Sequence, residues 1–122
     1  MSCDFGIWHS DKLLTNQEAA QIYVRLCEEW PFLEGENPAV RAFYDDLTKR
    51  WPELDTVPDE KVDDADYCPW SCAISHSGMA VVVSCVWPKS DDVAAFVQGL
   101  AAKHQLILYD PQADKVHLPQ RS

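Results

Sequence analysis

The sequence predicts a single α+β domain over residues 1–122, with the element order β-α-α-β-β-α-β and a four-stranded, mostly antiparallel sheet. Three observations predict it: two helical apolar stripes early in the chain, a β-branched hairpin after them, and a third helix followed by a last strand. If the two early helices form one crossover, this is the order of a ferredoxin-like, or split βαβ, fold with helices packed on one face of the sheet. A right-handed crossover then places the first strand beside the second arm of the hairpin.

The first strand and the first helix are indicated by hydrophobic periodicity and by a cap. Residues 3–9 alternate loosely between apolar and polar side chains, which is typical of a strand. Thr15 and Glu18 have the spacing of a capping box, in which each side chain satisfies a backbone N–H group at a helix start. Apolar residues follow at helical spacing until Pro31, which cannot continue a helix.

A second helix is expected between two prolines. Asn37 and Pro38 fit the N-cap and the first helical position, and Pro52 ends the apolar stripe that follows them. Trp30 and Trp51 stand at the last turns of the two helices, where an indole ring usually closes over the core. We therefore expect both rings to be buried.

The second half of the chain predicts a hairpin, a helix and a last strand. Residues 71–75 and 79–87 are the two arms of the hairpin, and the β-branched second arm suits a central strand covered on both faces or close to it. Helically spaced apolar residues over 93–101 indicate the third helix. A last strand is expected at 106–109, with a short extension at 115–118.

The acidic segment, residues 53–66, is the most unusual stretch of the chain. Its carboxylates are those of Glu53, Asp55, Asp59, Glu60, Asp63, Asp64 and Asp66. Its only cation is Lys61, and the whole chain has a formal net charge of -10. A concentrated negative surface repels nucleic acid and anionic lipid, and it attracts basic proteins or metal cations. The segment lacks the glycine and the spacing of a calcium loop, and a docking surface, a solvated connection and a metal site are all open interpretations.

Composition argues against several classes of function. Hydrophobic residues make up 47% of the chain, which is enough to bury a core, yet no apolar run approaches the ~20 residues that cross a bilayer. The chain has four glycines and none of the phosphate-binding or common hydrolase motifs. It shows no basic patch for nucleic acid and no secretory signal, and its five cysteines are scattered among apolar positions. We expect a cytoplasmic protein that is not an enzyme, uses no cofactor, and binds neither nucleic acid nor membrane.

A second group of residues offers an alternative chemistry. Cys68, Cys72 and His76 follow the acidic segment with C-x3-C-x3-H spacing, which is not a common zinc pattern. If residues 71–75 form a strand, Cys72 and His76 share a face. A half-buried thiol and a turn histidine also explain these residues. The alternative hypothesis is a small metal-dependent enzyme or a ligand-binding regulatory domain that uses the three side chains.

The predicted partner-binding surface combines charge with aromatic rings. Trp70 lies beside the acidic segment, and an aromatic side chain with a charged rim is typical of an interface hot spot. Tyr67 is the second predicted anchor. The complete predicted set is Asp59, Glu60, Asp63, Asp64, Asp66, Tyr67 and Trp70.

Short motifs occur over nearly the whole chain: Ile7-Trp8, Cys27-Glu28-Glu29-Trp30, 37–43, Arg50-Trp51-Pro52-Glu53-Leu54, Pro69-Trp70 and Leu108-Tyr109-Asp110-Pro111-Gln112. They resemble the VW, WPEL and DPQ elements of a family of small, mostly uncharacterised bacterial proteins. Asp110 and Pro111 fit the opening of a type I turn, which gives the DPQ element a structural interpretation. The resemblance implies an immunity protein that neutralises a toxin in interbacterial competition, and it transfers no catalytic residue.

Charge and resemblance together lead to one functional prediction. The chain is expected to be an acidic immunity protein that binds a cognate toxin with a basic surface and occludes its active site. Toxins that act on nucleic acid or nucleotides need basic clefts, because phosphate contacts need Lys and Arg. An acidic surface can occupy such a cleft and is drawn to it by long-range attraction.

Overall fold

The computed structural model describes residues 2–10, 13–30, 32–33, 35–61, 64 and 67–118, which form an α+β fold with three α-helices and one five-stranded antiparallel sheet. The strands are β1 (Ser2–Trp8), β2 (Ser75–His76), β3 (Ala80–Val86), β4 (Ile107–Asp110) and β5 (Lys115–His117). The helices are α1 (Asn16–Glu28), α2 (Pro38–Arg50) and α3 (Ser90–Lys103). None of these helices combines the length and the apolar character that a bilayer-spanning helix requires.

The predicted starts of α1 and α2 are confirmed. Thr15 Oγ1 accepts the Glu18 backbone N–H at 3.1 Å, and the Glu18 carboxylate accepts the Thr15 backbone N–H at 3.0 Å. At α2, Asn37 Oδ1 accepts the Ala39 N–H at 2.8 Å, and Pro38 occupies the first turn, where it has no N–H to satisfy. Each helix therefore begins where its own residues provide the missing acceptor.

The two tryptophans at the helix ends behave differently. Trp51 is 4% exposed and makes an edge-to-face contact with Phe96, at 5.2 Å between ring centroids, so its predicted burial is confirmed. Trp30 is 38% exposed, and the prediction that it closes over the core is wrong. The reason is that α1 already ends at Glu28, so Trp30 lies beyond the last helical turn.

The strand order is β2-β3-β1-β4-β5, and every neighbouring pair is antiparallel. The predicted neighbourhood of β1 and β3 is confirmed, with Cys3 opposite Cys85. The predicted count of four strands is wrong, because the expected extension pairs with β4 as β5. The predicted first hairpin arm at 71–75 is also wrong: β2 holds two residues, and an isolated bridge joins Trp70 to Cys85.

The sheet carries helices on both faces, which corrects the expectation of helices on one face. The larger core includes Cys3, Phe5, Ile7, Val81, Val83 and Cys85 from the sheet, Val40, Phe43 and Leu47 from α2, and Val93, Val97, Leu100 and Ala101 from α3. The smaller core comprises Trp8, Leu14, Ala19, Tyr23, Leu26, Ala80, Ile107 and Tyr109. Successive strand residues point to opposite faces, so α2 and α3 cover one face of the sheet and α1 covers the other.

The DPQ element forms a hydrogen-bonded turn after β4. Asp110 Oδ1 accepts the Gln112 backbone N–H at 3.0 Å and its Nε2–H at 2.7 Å. Gln112 Oε1 accepts the Asp4 backbone N–H at 2.7 Å, and Gln112 Nε2 donates to the Asp4 carbonyl at 2.8 Å. Since β4 itself pairs with β1 only from Gly6 to Trp8, the Gln112 amide takes the place of a strand residue and extends the pairing to Asp4.

Candidate partner-binding surface

Backbone hydrogen bonds connect the described residues of the acidic segment. The Lys61 N–H donates to the Pro58 carbonyl at 2.8 Å, and the Asp64 N–H donates to the Lys61 carbonyl at 3.0 Å. The Cys68 N–H then donates to the Asp64 carbonyl at 2.9 Å. These bonds satisfy backbone groups within the segment itself and hold Asp64 close to the residues that follow it.

The beginning of the acidic segment points inward. Leu54 and Val57 pack against the larger core, and Glu53 is partly buried. The Tyr44 hydroxyl faces the Glu53 carboxylate, and burial, reinforced by this negative neighbour, raises the pKa of Tyr44. The segment is thus anchored to α2 and to the core at this end, and Glu53 does not contribute to its outer surface.

The predicted acidic residues that the structure describes lie on the outside. Asp59, Glu60 and Asp64 are exposed. Among the described residues, Asp59 and Glu60 form no ion pair. Asp63 and Asp66 lie outside the described residues. Because Asp59 and Glu60 form no ion pair with a described residue, both can attract an external positive charge.

Most of the basic side chains that form ion pairs do so elsewhere on the molecule. The N–O distances are 3.3 Å for Arg25–Glu29, 3.4 Å for Arg41–Asp45, 3.5 Å for Lys103–Asp46 and 3.8 Å for Lys89–Asp92. In each case the acidic partner lies outside the acidic segment. These pairs are largely exposed and contribute little to stability, but they remove cations that could have neutralised the segment.

The expected role of Trp70 as an exposed anchor is wrong. Its side chain is 3% exposed and meets Trp51 edge to face, at 5.8 Å between ring centroids. The register explains the burial: Trp70 is bridged to Cys85, and Cys85 is opposite Cys3, so the three side chains share the face that forms the larger core. Tyr67, by contrast, is 40% exposed, as an anchor requires.

A second exposed aromatic residue, Trp87, was missed from the sequence. It is 42% exposed and begins a short 3-10 turn between β3 and α3. Trp87 lies two residues after the buried Cys85, so a continued strand would point the Trp87 side chain toward the larger core. Pro88, which follows directly, ends the strand before that alternation reaches Trp87 and is the signal that could have found it.

The alternative based on Cys68, Cys72 and His76 is not supported. Cys68 is buried with its Sγ 3.5 Å from the Pro52 carbonyl oxygen, and burial raises the pKa of its thiol, which disfavours the thiolate that binds metals. Cys72 is exposed, and the His76 ring stacks on Tyr44 at 4.0 Å. Within the part of the chain that the structure describes, no group of three or more His, Cys, Asp or Glu residues could hold a metal ion.

A cleft of about 570 Å³ lies between the start of α2 and the turn that joins β2 to β3. Its lining consists of Glu36, Asn37, Pro38, Arg41, His76, Ser77 and Gly78. An anion would need free N–H donors at the helix start, but Asn37 accepts those of Ala39, Val40 and Arg41, and its own N–H donates to Gly78. The start of α2 therefore offers the cleft no free N–H group from residues 37 and 39–41.

No protein-family model, curated protein or solved structure matches this chain. The resemblance to small bacterial immunity proteins stays a prediction that depends on its short motifs. What the surface can bind follows from its charge, its exposed rings and the elements that hold them in place.

Proposed function

We propose that this chain is an acidic immunity protein that binds a cognate bacterial toxin domain and covers its active site. The observation that carries the proposal is the exposure of Asp59 and Glu60 on a folded domain with a formal net charge of -10, where no described residue pairs with them. Like charges close together destabilise the compact state, so these unpaired carboxylates do not stabilise the fold and are better explained by binding.

Electrostatics explains how such a surface would select its partner. A toxin that cleaves or modifies nucleic acid needs Lys and Arg side chains around its active site to hold phosphates. Carboxylates presented on a rigid segment are attracted to the same side chains, which speeds encounter and excludes acidic proteins. The inhibitor works by occupancy, so the proposal needs neither a catalytic residue nor a cofactor and places the protein in the cytoplasm of the cell that it protects.

The neighbouring reading frame provides the direct test. If it encodes an effector, the C-terminal domain of that effector should stop growth when it is expressed alone, and co-expression of this chain should restore growth. The two purified proteins should form a stoichiometric complex in which the toxin is inactive. A neighbouring toxin domain that neither binds this chain nor is inhibited by it would show that the proposal is wrong.

We also propose that the architecture is a ferredoxin-like fold with two additions. The order β2-β3-β1-β4 and the crossover helix between β3 and β4 support it. The additions are β5 at the sheet edge and α1, which covers the second face of the sheet and leaves α2 and α3 as the usual helix layer.

A further inference from the structure

We infer that Tyr67 and Trp87 form the apolar centre of the partner-binding surface and insert into a recess on a basic partner protein. This inference rests on the proposed function, and it replaces the buried Trp70 with Trp87 as the principal aromatic anchor. The two residues are called the aromatic pair below.

Hydrogen bonds bring the aromatic pair to one place. The Val86 N–H donates to the Pro69 carbonyl at 2.8 Å, which holds the residue before Trp87 against the segment that begins at Tyr67. The bridge between Trp70 and Cys85 joins the same two stretches of backbone, so Trp87, which directly follows Val86, begins close to residues 67–69. Adjacent strands lie about 5 Å apart, so the two backbones are neighbours.

The two rings are attached to hydrogen-bonded backbone. Tyr67 follows the turn in which its own N–H donates to the Asp64 carbonyl at 3.1 Å. Trp87 opens a 3-10 turn whose Pro88 restricts the backbone, and α3 begins directly after it. Exposed aromatic rings on a rigid backbone lose little conformational freedom on binding, which is why Tyr and Trp are common hot-spot residues.

Carboxylates lie on both sides of the aromatic pair. Asp64 precedes Tyr67, and Asp91 and Asp92 stand exposed in the first turn of α3, shortly after Trp87. Two described cations accompany these carboxylates: Lys89, whose Nζ lies 3.8 Å from Asp92, and Lys61, three residues before Asp64. The rings are therefore enclosed by net negative charge, and a partner that covers them must bring Lys or Arg side chains.

Charge complementarity thus decides the occupant. A second copy of this chain would bring the same carboxylates to the contact and would be repelled. A basic protein would satisfy the acidic rim, and its Arg or Lys groups could also lie over the faces of the two rings. The apolar centre then controls how slowly the complex dissociates, while the surrounding charge controls how quickly it forms.

The dissociation rates of three variants test whether the aromatic pair is the anchor. The probe is the catalytically inactive C-terminal toxin domain encoded beside this chain, and the variants are Trp87→Ala, Tyr67→Ala and the control Trp30→Ala. Trp30 has a similar exposure, 38%, but it follows α1 on the opposite face of the sheet. We expect Trp87→Ala to raise the dissociation rate about tenfold or more, Tyr67→Ala to raise it by a smaller factor, and Trp30→Ala to leave it within about twofold.

The outcomes separate this inference from the proposed function. If the wild type binds the toxin domain and Trp87→Ala dissociates no faster than Trp30→Ala, the aromatic pair is not the anchor, while the proposed function stands. If the wild type does not bind, the proposed function fails and this inference fails with it. Should Trp87→Ala not fold, the indole N–H resonances of the wild type decide: Trp87 should shift on binding and Trp30 should not, and the reverse pattern would overturn the assignment.

Discussion

Replacing Gly78 with alanine tests how the hairpin holds the connection between α1 and α2. Gly78 lies in the turn between β2 and β3, and its carbonyl accepts the Asn37 N–H at 2.8 Å. A Cβ atom there would overlap the Gly35 carbonyl oxygen and come within 2.8 Å of Glu36 Cγ and 3.0 Å of Glu36 Cα. Its φ lies outside the left-handed region, so the effect of the substitution is steric rather than conformational.

The expected loss of stability in Gly78→Ala follows from the atoms that must move. The neighbouring contact is backbone, which cannot rotate away like a flexible side chain, so the 35–37 connection has to shift. Forcing an extra carbon into a packed contact costs about 1–3 kcal/mol. Losing the hydrogen bond from Asn37 costs about 1 kcal/mol more. We therefore expect Gly78→Ala to lower the free energy of unfolding by about 2–4 kcal/mol and Tm by on the order of 10 °C.

Gly99 provides a matched control. It lies exposed within α3, and a Cβ atom there would meet nothing within 4 Å. Gly99→Ala should stabilise the protein by about 0.5–1 kcal/mol, because glycine loses more backbone entropy than alanine in a helix. Thermal and urea unfolding followed by circular dichroism measure both variants. If Gly78→Ala is as stable as the wild type, the close approach of the hairpin turn to the 35–37 connection does not exist in solution.

Three further predictions concern stability. The hydrogen bond between His104 and Asp46 lowers the pKa of the Asp46 carboxyl group. The ionised carboxylate therefore stabilises the fold above the usual pKa near 3.8, and this stabilisation is lost as pH falls. The difference in free energy of unfolding between wild type and Asp46→Asn should shrink in acid. Burial, with a hydrogen bond to Asp114, raises the pKa of Tyr109 from 10 to about 12. Between pH 10 and pH 12 the wild type should therefore lose up to about 3 kcal/mol more of its free energy of unfolding than Tyr109→Phe does. In Gln112→Glu the side chain cannot donate to the Asp4 carbonyl, so the free energy of unfolding should fall by about 1–2 kcal/mol in urea unfolding. An unfolding midpoint equal to that of the wild type would contradict this prediction.

The helices could be predicted from the sequence because their signals are local. The capping box of Thr15 and Glu18 and the N-cap of Asn37 depend on residues a few positions away, and both are present. The end of α1 was placed too late, since Pro31 marks where a helix cannot continue but not where it stops. Trp30 was consequently assigned to the core.

Which helix covers which face of the sheet depends on long-range strand pairing, and the sequence predicted this less well. The apolar run of β3 indicated cover on both faces, yet all the helices were assigned to one. The run Leu106 to Tyr109 is buried throughout and signals the same two-sided cover. Only the pairing of β4 with β1 shows that Ile107 and Tyr109 lie in the core covered by α1.

The candidate site could be predicted in part, with the charges located better than the rings. Exposed carboxylates follow from composition, because Asp and Glu are rarely buried without a partner. The burial of Trp70 depends on its register with Cys85, which lies far away in sequence, and the exposure of Trp87 depends on where β3 ends. Trp70 was therefore wrongly predicted to be exposed, and Trp87 was missed.

The ionic-strength dependence of association with the toxin domain that the proposal requires tests the central claim most directly. Two variants of equal net charge are compared: Asp59→Asn with Glu60→Gln, and Glu28→Gln with Glu29→Gln at the C-terminal end of α1, across the sheet. At low salt the first should associate about tenfold more slowly than wild type, and the difference should vanish at high salt. The second should associate at nearly the wild-type rate. Equal rates for both variants would mean that the acidic segment does not guide the partner.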